Sequence, residues 1–363
     1  MPKSYFCKKC GLKKILVIRL SSIGDIVLTS PVLRCLKQQL PGVSIHFAVK
    51  RQFLPVVASN PHIDKIHVFD GDLKAFTGEL KLEQFDYIVD LHQNFRSWMI
   101  RFKLRTRSAG FPKLNMRKWL LTRLKINLMP DIHIVDRYFK AVMPLGIRND
   151  GKGLDYFIPQ DEEFDVRTLP AEFEKGYVAF VIGAKHATKR LPEKKIVAIC
   201  RESGHPFVLL GGKDDAERGE AIARKAGPLV VSFCGKLSLN QSASLVRQAG
   251  AVVTHDTGLM HIAAAYRKKV ISVWGKTVPE FGMTPYMPEN PGNSTIVEVK
   301  GLSCRPCSKL GYDRCPKKHF RCMEEVNVAK VLKALSETDW SMPQIQPSSR
   351  GHGRQRSGNH GEE

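Results

Sequence analysis

Residues 15–25 read ILVIRLSSIGD, and the architecture of the chain follows from this pattern. The apolar run 15–20 predicts a buried strand, which ends in a turn of small residues ahead of a helix from about Ser30 to Leu40. Further strand-like runs alternate with helical segments and occupy residues 43–49, 65–69 and 85–91. This alternation predicts βαβ units and a parallel sheet.

A second series of the same kind follows a break in the pattern. The stretch 159–172 is acidic and carries prolines, which suits a linker between domains. Strand-like runs then recur at 177–183, 206–212, 229–233, 250–255 and 270–274. We therefore predict an α/β protein with two Rossmann-like, doubly wound domains that face a central cleft. The predicted boundaries are 1–14 for a basic, cysteine-containing extension, 15–158 for the first domain, 159–172 for the linker, 173–336 for the second domain and 337–363 for a disordered basic tail.

The composition supports a globular protein with an anionic partner. The chain has 363 residues, of which 43% are hydrophobic and 25% are charged, an ordinary balance for a protein of two domains. No apolar run approaches the length of a membrane span and the N-terminus lacks the apolar core of a signal peptide, so we expect a cytoplasmic protein. The formal net charge of +22 indicates a polyanion, either nucleic acid or an anionic membrane surface or glycolipid.

Asp25 lies in the turn that follows the first predicted strand. It lies at or near a helix start facing the cleft, where the helix dipole favours the ionised carboxylate. An ionised carboxylate can accept a proton from a sugar hydroxyl as that hydroxyl attacks an anomeric carbon. The alternative is that Asp25 only caps the helix.

A second polar turn, HDTGLMH at 255–261, follows the apolar run 251–253 and opens a helix. Free backbone N–H groups and the helix dipole at such a junction attract an anion. Gly258 leaves room for a phosphate, Thr257 supplies a hydroxyl, and His261 lies about one turn further along the helix. The alternative is an N-cap with a packing glycine, but the number of polar and permissive residues at one sheet edge favours diphosphate binding.

Two more loops carry charged residues just past strand ends. The loop 184–192, AKHATKRLP, has four bases, and a lysine there can neutralise a departing diphosphate. The loop 211–217, GGKDDAE, offers a carboxylate for the ribose hydroxyls of a nucleotide, with Asp214, Asp215 and Glu217 all qualifying. The sequence has no Walker A pattern and no GxGxxG, which argues against kinase and nicotinamide chemistry.

In order and spacing over about 15–325, these motifs resemble the ADP-heptose:lipopolysaccharide heptosyltransferase family, glycosyltransferase family 9. The most specific matches are SSIGDIV at 21–27 and DTGLMH at 256–261, supported by TKRLP at 188–192, GG at 211–212 and a cysteine-bearing stretch at 304–323. The resemblance implies a GT-B fold with an acceptor-binding first domain and a nucleotide-sugar-binding second domain. It also implies an inverting transfer, without metal or other cofactor, of heptose or a related sugar from an ADP-sugar to the lipopolysaccharide inner core or a similar anionic glycolipid.

The resemblance assigns roles to individual residues. Asp25 is the general base, Lys189 and the amides around Thr257 and Gly258 hold the diphosphate, and Glu217 binds ribose. The full set of predicted donor-binding residues is Thr188, Lys189, Glu217, Asp256, Thr257, Gly258, Leu259 and His261. Ala184 and Lys185 stand where some members carry a hydroxyl-bearing pair, so a GT-B glycosyltransferase with another nucleotide-sugar donor is an alternative.

The predicted acceptor side is basic and aromatic. Arg96 follows a strand end and is expected to contact the acceptor, and Lys50 and Arg51 are candidates for binding an acidic sugar such as a ketodeoxyoctonate. The complete set of predicted acceptor contacts is Ser22, Gly24, Lys50, Arg51 and Arg96. Trp98, Phe102, Phe111 and Trp119 interleave with the basic residues of 96–123, which suits peripheral contact with an anionic membrane at the inner face of the bacterial inner membrane.

The cysteines and the acidic pairs leave two further hypotheses. Cys304, Cys307, Cys315 and Cys322 are candidates for a structural zinc, although their spacing is irregular and free thiols are the alternative. The sequence Asp70-Gly71-Asp72 is interpreted as a turn, not a metal site. A non-enzymatic nucleic-acid-binding protein is the alternative from another functional class, but no helix-turn-helix, RRM or zinc-finger pattern is present and we expect no nucleic-acid partner.

Overall fold

A computed structural model describes residues 11–340 of the chain. Most of the predicted N-terminal extension, with Cys7 and Cys10, and residues 341–363 of the predicted tail lie outside the described residues. Within 11–340, no helix is both long and apolar enough to cross a membrane.

The first half forms a five-stranded parallel sheet in the order β3-β2-β1-β4-β5. Its strands are β1 (Lys14–Ile18), β2 (Ser44–Lys50), β3 (Lys65–Phe69), β4 (Tyr87–Asp90) and β5 (Ser108–Gly110). The helices of this half are α1 (Ile23–Val27), α2 (Ser30–Gln39), α3 (Leu73–Leu82), α4 (Phe95–Leu104), α5 (Asn115–Trp119) and α6 (Ile134–Phe139), with a π-helical turn at Leu120–Leu124.

The second half forms a six-stranded parallel sheet in the order β11-β10-β9-β6-β7-β8. Its strands are β6 (Val178–Val181), β7 (Phe207–Leu210), β8 (Val230–Ser232), β9 (Ala251–His255), β10 (Lys269–Trp274) and β11 (Ser294–Glu298). The helices are α7 (Glu193–Glu202), α8 (Ala216–Ala226), α9 (Leu239–Gln248), α10 (Gly258–Ala265), α11 (Arg321–Glu324) and α12 (Val328–Ser336).

The central strands form because they are apolar on both faces and are covered by helices on both sides. Ile15, Leu16, Val17 and Ile18 of β1 are fully buried. Side chains of β1 and of β6 belong to one buried apolar cluster that extends between the two sheets. Near-continuous apolar runs of this kind are typical of parallel sheets, and the predicted fold class is confirmed.

In each sheet, the predicted turns lie at the point where the order of the strands reverses. In the first sheet β1 lies between β2 and β4, and in the second β6 lies between β7 and β9. Ligands of open α/β sheets bind in the crevice outside the carboxyl ends of the strands at such a point. The turns after β1, β6 and β9 therefore open toward one cleft, as the sequence predicted.

Residues 131–156 join the two halves through hydrogen bonds. Tyr156 donates its hydroxyl hydrogen to Asn240 Oδ1 at 2.6 Å, and His133 Nε2 contacts the carbonyl of Thr284 at 2.9 Å. The predicted domain boundaries remain predictions. Thr338 is buried and Trp340 stacks on His205 with ring centroids 4.0 Å apart, so the chain packs on the second half up to the last described residue.

Candidate active site

The turn after β1 and the turn after β9 are in direct contact across the cleft. A Cβ atom on Gly24 would lie 2.6 Å from Cδ2 of His261, and one on Gly258 would lie 2.6 Å from Cγ2 of Ile23. Only glycine, which has no Cβ, permits so close an approach. Gly258 was predicted to leave room for a phosphate, and that role remains a prediction; in the structure its missing Cβ also makes room for Ile23.

Asp25 is held at this junction by two neighbours. Its Oδ1 forms an ion pair with Nη2 of Arg19 at 2.6 Å, and its Oδ2 accepts a hydrogen bond from the hydroxyl of Ser22 at 2.9 Å. Burial raises the pKa of Asp25, but the charge of Arg19 and the Ser22 hydrogen bonds outweigh it and hold the pKa below its usual value. The side chain is still 25% exposed, so the ionised carboxylate remains accessible to a ligand.

The cause of this ionisation differs from the predicted one. The helix dipole was expected to keep Asp25 ionised, but α1 has only five residues and supplies a short dipole. The stronger influence is Arg19, whose Nε donates to the carbonyl of Ser21 at 2.8 Å and whose guanidinium lies 5.8 Å from the ring centre of Tyr138. Arg19 was missed, although a charged residue at the end of a buried apolar run is the kind of signal that identifies such a residue.

Two basic side chains of the first half lie near one another: Lys118 interacts electrostatically with Asp25 and with Arg137. Lys118 Nζ lies 6.0 Å from the ring centre of Phe281, and burial, then the charge of Arg137, lowers the pKa of Lys118 to about 8, which Asp25 opposes. Arg137 is only 1% exposed and donates through Nη2 to the carbonyl of Phe281 at 2.8 Å. Its Nε and Nη1 have no hydrogen-bond partner among the described residues.

This arrangement suits an anionic ligand. A buried guanidinium with unpaired donors is costly unless a further acceptor completes its hydrogen bonds. Lys118 belongs to the basic stretch 96–123 noted in the sequence, whereas Arg137 was not predicted as a site residue. The burial of Arg137 between the two halves has no signature in the local sequence.

The predicted donor edge lies opposite. Lys189 Nζ forms a 2.5 Å ion pair with Oδ2 of Asp256 and also donates to the Asp256 carbonyl at 3.0 Å. Thr257 is the N-cap of α10, and its hydroxyl lies 3.3 Å from that of Thr254. Because the first N–H groups of a helix have no partner within the helix, the start of α10 can bind an anion beside Lys189.

The next turn of α10 presents Leu259 and His261. Leu259 is partly buried against the core, and His261 is buried, with Nδ1 lacking a partner among residues 11–340. Burial lowers the pKa of His261 to about 4, so the imidazole is neutral at neutral pH. A neutral imidazole at this position has one ring nitrogen that donates a hydrogen bond and one that accepts, and it adds no charge.

Thr188 and Glu217 occupy different surroundings. The hydroxyl of Thr188 donates to the carbonyl of Tyr312 at 2.8 Å and accepts from its N–H at 3.0 Å, so it anchors a neighbouring loop. Glu217 is exposed in the first turn of α8. Of the three acidic candidates in this loop, Asp215 is buried and paired with Arg190 at 3.3 Å, which leaves Asp214 and Glu217 open to solvent.

The remaining predicted acceptor contacts are dispersed. Lys50 ends β2, and Arg51 pairs its Nε with Oδ1 of Asp70 at 2.7 Å on the exposed surface. Arg96 is exposed in the first turn of α4. Asp72 caps α3 through a 2.7 Å hydrogen bond from the backbone N–H of Lys74, which confirms the interpretation of the Asp70–Asp72 stretch as a turn.

The four cysteines considered for zinc do not form a compact ligand group. Within the described part of the chain, only His46, His67 and Glu83 have potential ligand atoms that all lie within 4.8 Å of one another. That trio is internally satisfied, because the two imidazoles contact each other at 2.9 Å and Glu83 pairs with Lys14 at 2.9 Å. Cys307 directs its thiol to the carbonyl of Cys304 at 3.1 Å, which fits free thiols.

Comparison with known proteins shows which family the chain belongs to. Residues 73–312 match the sequence profile described as "Glycosyltransferase family 9 (heptosyltransferase)". The chain is 27% identical over 322 residues to lipopolysaccharide heptosyltransferase 1 of Pseudomonas aeruginosa, which covers 82% of this chain and 86% of that protein. It is 28% identical over 296 residues to lipooligosaccharide heptosyltransferase 2 of Haemophilus ducreyi, covering 74% and 85% of the two chains.

Solved structures agree on the fold. The ADP-heptose lps heptosyltransferase II of E. coli superposes with a TM-score of 0.67 at 20% identity, covering 89% of this chain and 97% of that one. The E. coli heptosyltransferase WaaC, solved with ADP, gives a TM-score of 0.64 at 21% identity over 89% and 99% of the chains. The two parallel sheets and their cleft are therefore a GT-B fold, and the chain is a glycosyltransferase that belongs to family 9, the heptosyltransferases.

Proposed function

We propose that the enzyme transfers heptose, or a related sugar, from an ADP-sugar to the lipopolysaccharide inner core or a similar anionic glycolipid. The observation that carries this proposal is an ionised, accessible Asp25 whose turn contacts the start of α10 across the cleft. The curated relatives are heptosyltransferases of lipopolysaccharide and lipooligosaccharide, and one structural neighbour was solved with ADP.

The reaction is a single displacement. Asp25 accepts the proton of the acceptor hydroxyl while that oxygen attacks the anomeric carbon, and the bond to the diphosphate breaks. Attack on the face opposite the leaving group inverts the anomeric configuration. The leaving diphosphate is stabilised by Lys189 and by the N–H groups of Thr257, Gly258 and Leu259 at the start of α10, so the transfer requires no metal ion.

The acceptor's negative charge is bound beside Asp25. Lys118 and Arg137 lie in the same basic region, whose positive charge attracts a carboxylate such as that of a ketodeoxyoctonate. Ser22 and Gly24 form the turn on which the acceptor hydroxyl is presented. Lys50 ends β2 and donates its backbone N–H to the carbonyl of Leu20 at 3.3 Å, so it adds positive charge near this turn.

The surface of α4 supports contact with the inner face of the bacterial inner membrane. Phe95, Trp98 and Phe102 are 73%, 50% and 63% exposed and stack in sequence, with ring centroids 6.0 and 5.5 Å apart. Arg96 and Arg105 lie on the same helix and at its C-cap. An exposed aromatic row flanked by arginines is typical of a surface that enters the headgroup region of an anionic bilayer.

The proposed function is tested by incubating the purified protein with ADP-heptose and a lipid A–ketodeoxyoctonate acceptor, and measuring ADP release. We expect release to depend on the acceptor and to persist in EDTA. In Asp25→Asn, we expect turnover to be lost while ADP binding stays near normal. Acceptor-dependent turnover with another nucleotide sugar but not with ADP-heptose contradicts the donor assignment, and wild-type turnover in Asp25→Asn contradicts the role of Asp25.

A further inference from the structure

Lys276 is a buried lysine at the sheet edge that carries the proposed donor site. It follows β10, which pairs with β9, so it lies beside the turn that contains Asp256. The side chain is only 1% exposed. The backbone before it packs closely against Met323, because a Cβ atom on Gly275 would lie only 2.6 Å from Cε of Met323.

The ammonium group of Lys276 has unused donors. Nζ donates to the hydroxyl of Ser308 at 3.2 Å, and within residues 11–340 no other partner is found for it. An ammonium carries three N–H donors, so two stay unpaired. Asp256, the carboxylate that acts on Lys276, is already engaged in the 2.5 Å ion pair with Lys189.

The edge therefore has an excess of positive charge. Lys189 and the protonated form of Lys276 contribute two cations, and Asp256 contributes one carboxylate. Burial, then the charge of Lys189, lowers the pKa of Lys276 to about 7, while Asp256 and the thiols of Cys307 and Cys322 act in the opposite direction. A buried ammonium whose cost the protein does not offset is stabilised when an anion binds beside it.

We propose that Lys276 binds the diphosphate of the nucleotide-sugar donor, together with Lys189 and the start of α10. This inference rests on the proposed function, because it requires that a nucleoside diphosphate occupies this edge. A diphosphate fits better than a neutral group or a lone carboxylate, because its oxygens can accept from α10 and from two separated ammonium groups at once. Lys189 alone does not supply the charge, since Asp256 neutralises it.

The test compares ADP with adenosine as ligands of the full chain. Calorimetry gives the Kd of each for the wild type, Lys276→Met and the matched control Lys268→Met. Lys268 is a half-buried lysine just after α10 whose pKa burial also lowers, to about 8. We expect Lys276→Met to raise the Kd for ADP about tenfold or more while the Kd for adenosine is unchanged. The control is expected to change neither.

The outcomes separate this inference from the proposed function. Wild-type ADP affinity in Lys276→Met, or an equal loss for ADP and adenosine, overturns the assignment of Lys276 as a diphosphate contact. If Lys189→Met weakens ADP binding and Lys276→Met does not, the inference fails and the proposed function stands. If the wild type binds no ADP, both fail. Lys276→Gln removes the charge but can keep the hydrogen bond to Ser308, so it replaces Lys276→Met should that variant not fold, with the same expected loss.

Discussion

At the scale of single residues, the proposed chemistry depends on the effect of Arg19 on the pKa of Asp25. A carboxylate that is desolvated in a cleft would ordinarily bind protons more tightly, but the 2.6 Å ion pair reverses that tendency. The guanidinium in turn is held by the carbonyls of Ser21 and Leu91, so its position does not depend on Asp25. Arg19 therefore acts as a positioning residue for the proposed base.

Replacing Arg19 should change the pH dependence of the reaction. The pKa of Asp25 lies below its usual value in the folded protein, so the base is ionised well into the acid range. In Arg19→Met, the positive charge that lowers the pKa of Asp25 is lost, so we expect that pKa to rise and the acid limb of kcat/KM to move to higher pH. The measurement is a pH profile of turnover with ADP-heptose.

Arg167→Met provides the matched control, because Arg167 pairs with Asp165 at 2.8 Å on the exposed surface. Its profile should match that of the wild type. An acid limb that stays in place in Arg19→Met would show that the ionisation of Asp25 does not limit the reaction.

At the scale of elements, the contact between α1 and α10 fixes the distance between the proposed base and the donor edge. Gly24 and Gly258 each face a side chain from the other turn, His261 and Ile23 respectively. Both positions were noticed in the sequence as permissive residues near ligands. Their use in packing the two halves together could not be seen, because sequence spacing gives no information on which turns meet.

Gly258→Ala should disturb both stability and activity. The added Cβ would meet Ile23 at 2.6 Å and the backbone N of Gly24 at 3.4 Å, so the two turns must separate. We expect a loss of about 1–3 kcal/mol in the free energy of unfolding and a lower kcat/KM. Urea unfolding and turnover measure the two effects. Gly78→Ala is the control, since Gly78 lies within α3 with open space around it and the change should stabilise by about 0.5–1 kcal/mol. Wild-type stability and turnover in Gly258→Ala would contradict the importance of this contact.

The aromatic row on α4 is also an element-scale feature. Removing two exposed aromatic side chains in Trp98→Ser/Phe102→Ser should lower partition to vesicles containing phosphatidylglycerol by at least about tenfold, because the apolar area that enters the bilayer is lost. Sedimentation with vesicles measures the partition. Met143→Ser, at another exposed apolar residue, should bind as the wild type does. Equal partition of the double variant and the wild type would exclude α4 as the membrane contact.

At the scale of the whole molecule, the hydrophobic periodicity of the sequence predicted the fold, but the sequence predicted only part of the candidate site. Alternating apolar runs predicted both parallel sheets, and motif order predicted which turns carry Asp25 and Asp256. Arg137 illustrates what could not be predicted, because its burial depends on α6 packing beneath Phe281, 144 residues away. The sequence likewise does not distinguish Lys276 from other loop lysines, because its position beside the Asp256 turn depends on the pairing of β10 with β9.

Arg137 provides the last prediction, because its surroundings require both halves of the molecule. Nη2 is held by the Phe281 carbonyl, and a Cβ on Gly282 would lie 3.3 Å from that same nitrogen, so the second half positions a cation of the first. If the unpartnered Nε and Nη1 bind the acceptor's carboxylate, Arg137→Met should raise the KM for the acidic acceptor about tenfold or more and leave the KM for ADP-heptose unchanged. With an acceptor whose carboxylate is converted to an amide, the wild type and Arg137→Met should have the same KM for the acceptor. Arg148→Met, at an exposed arginine, is the control and should leave both constants unchanged. A variant that weakens donor and acceptor alike would place Arg137 in the packing between the halves and not in acceptor recognition.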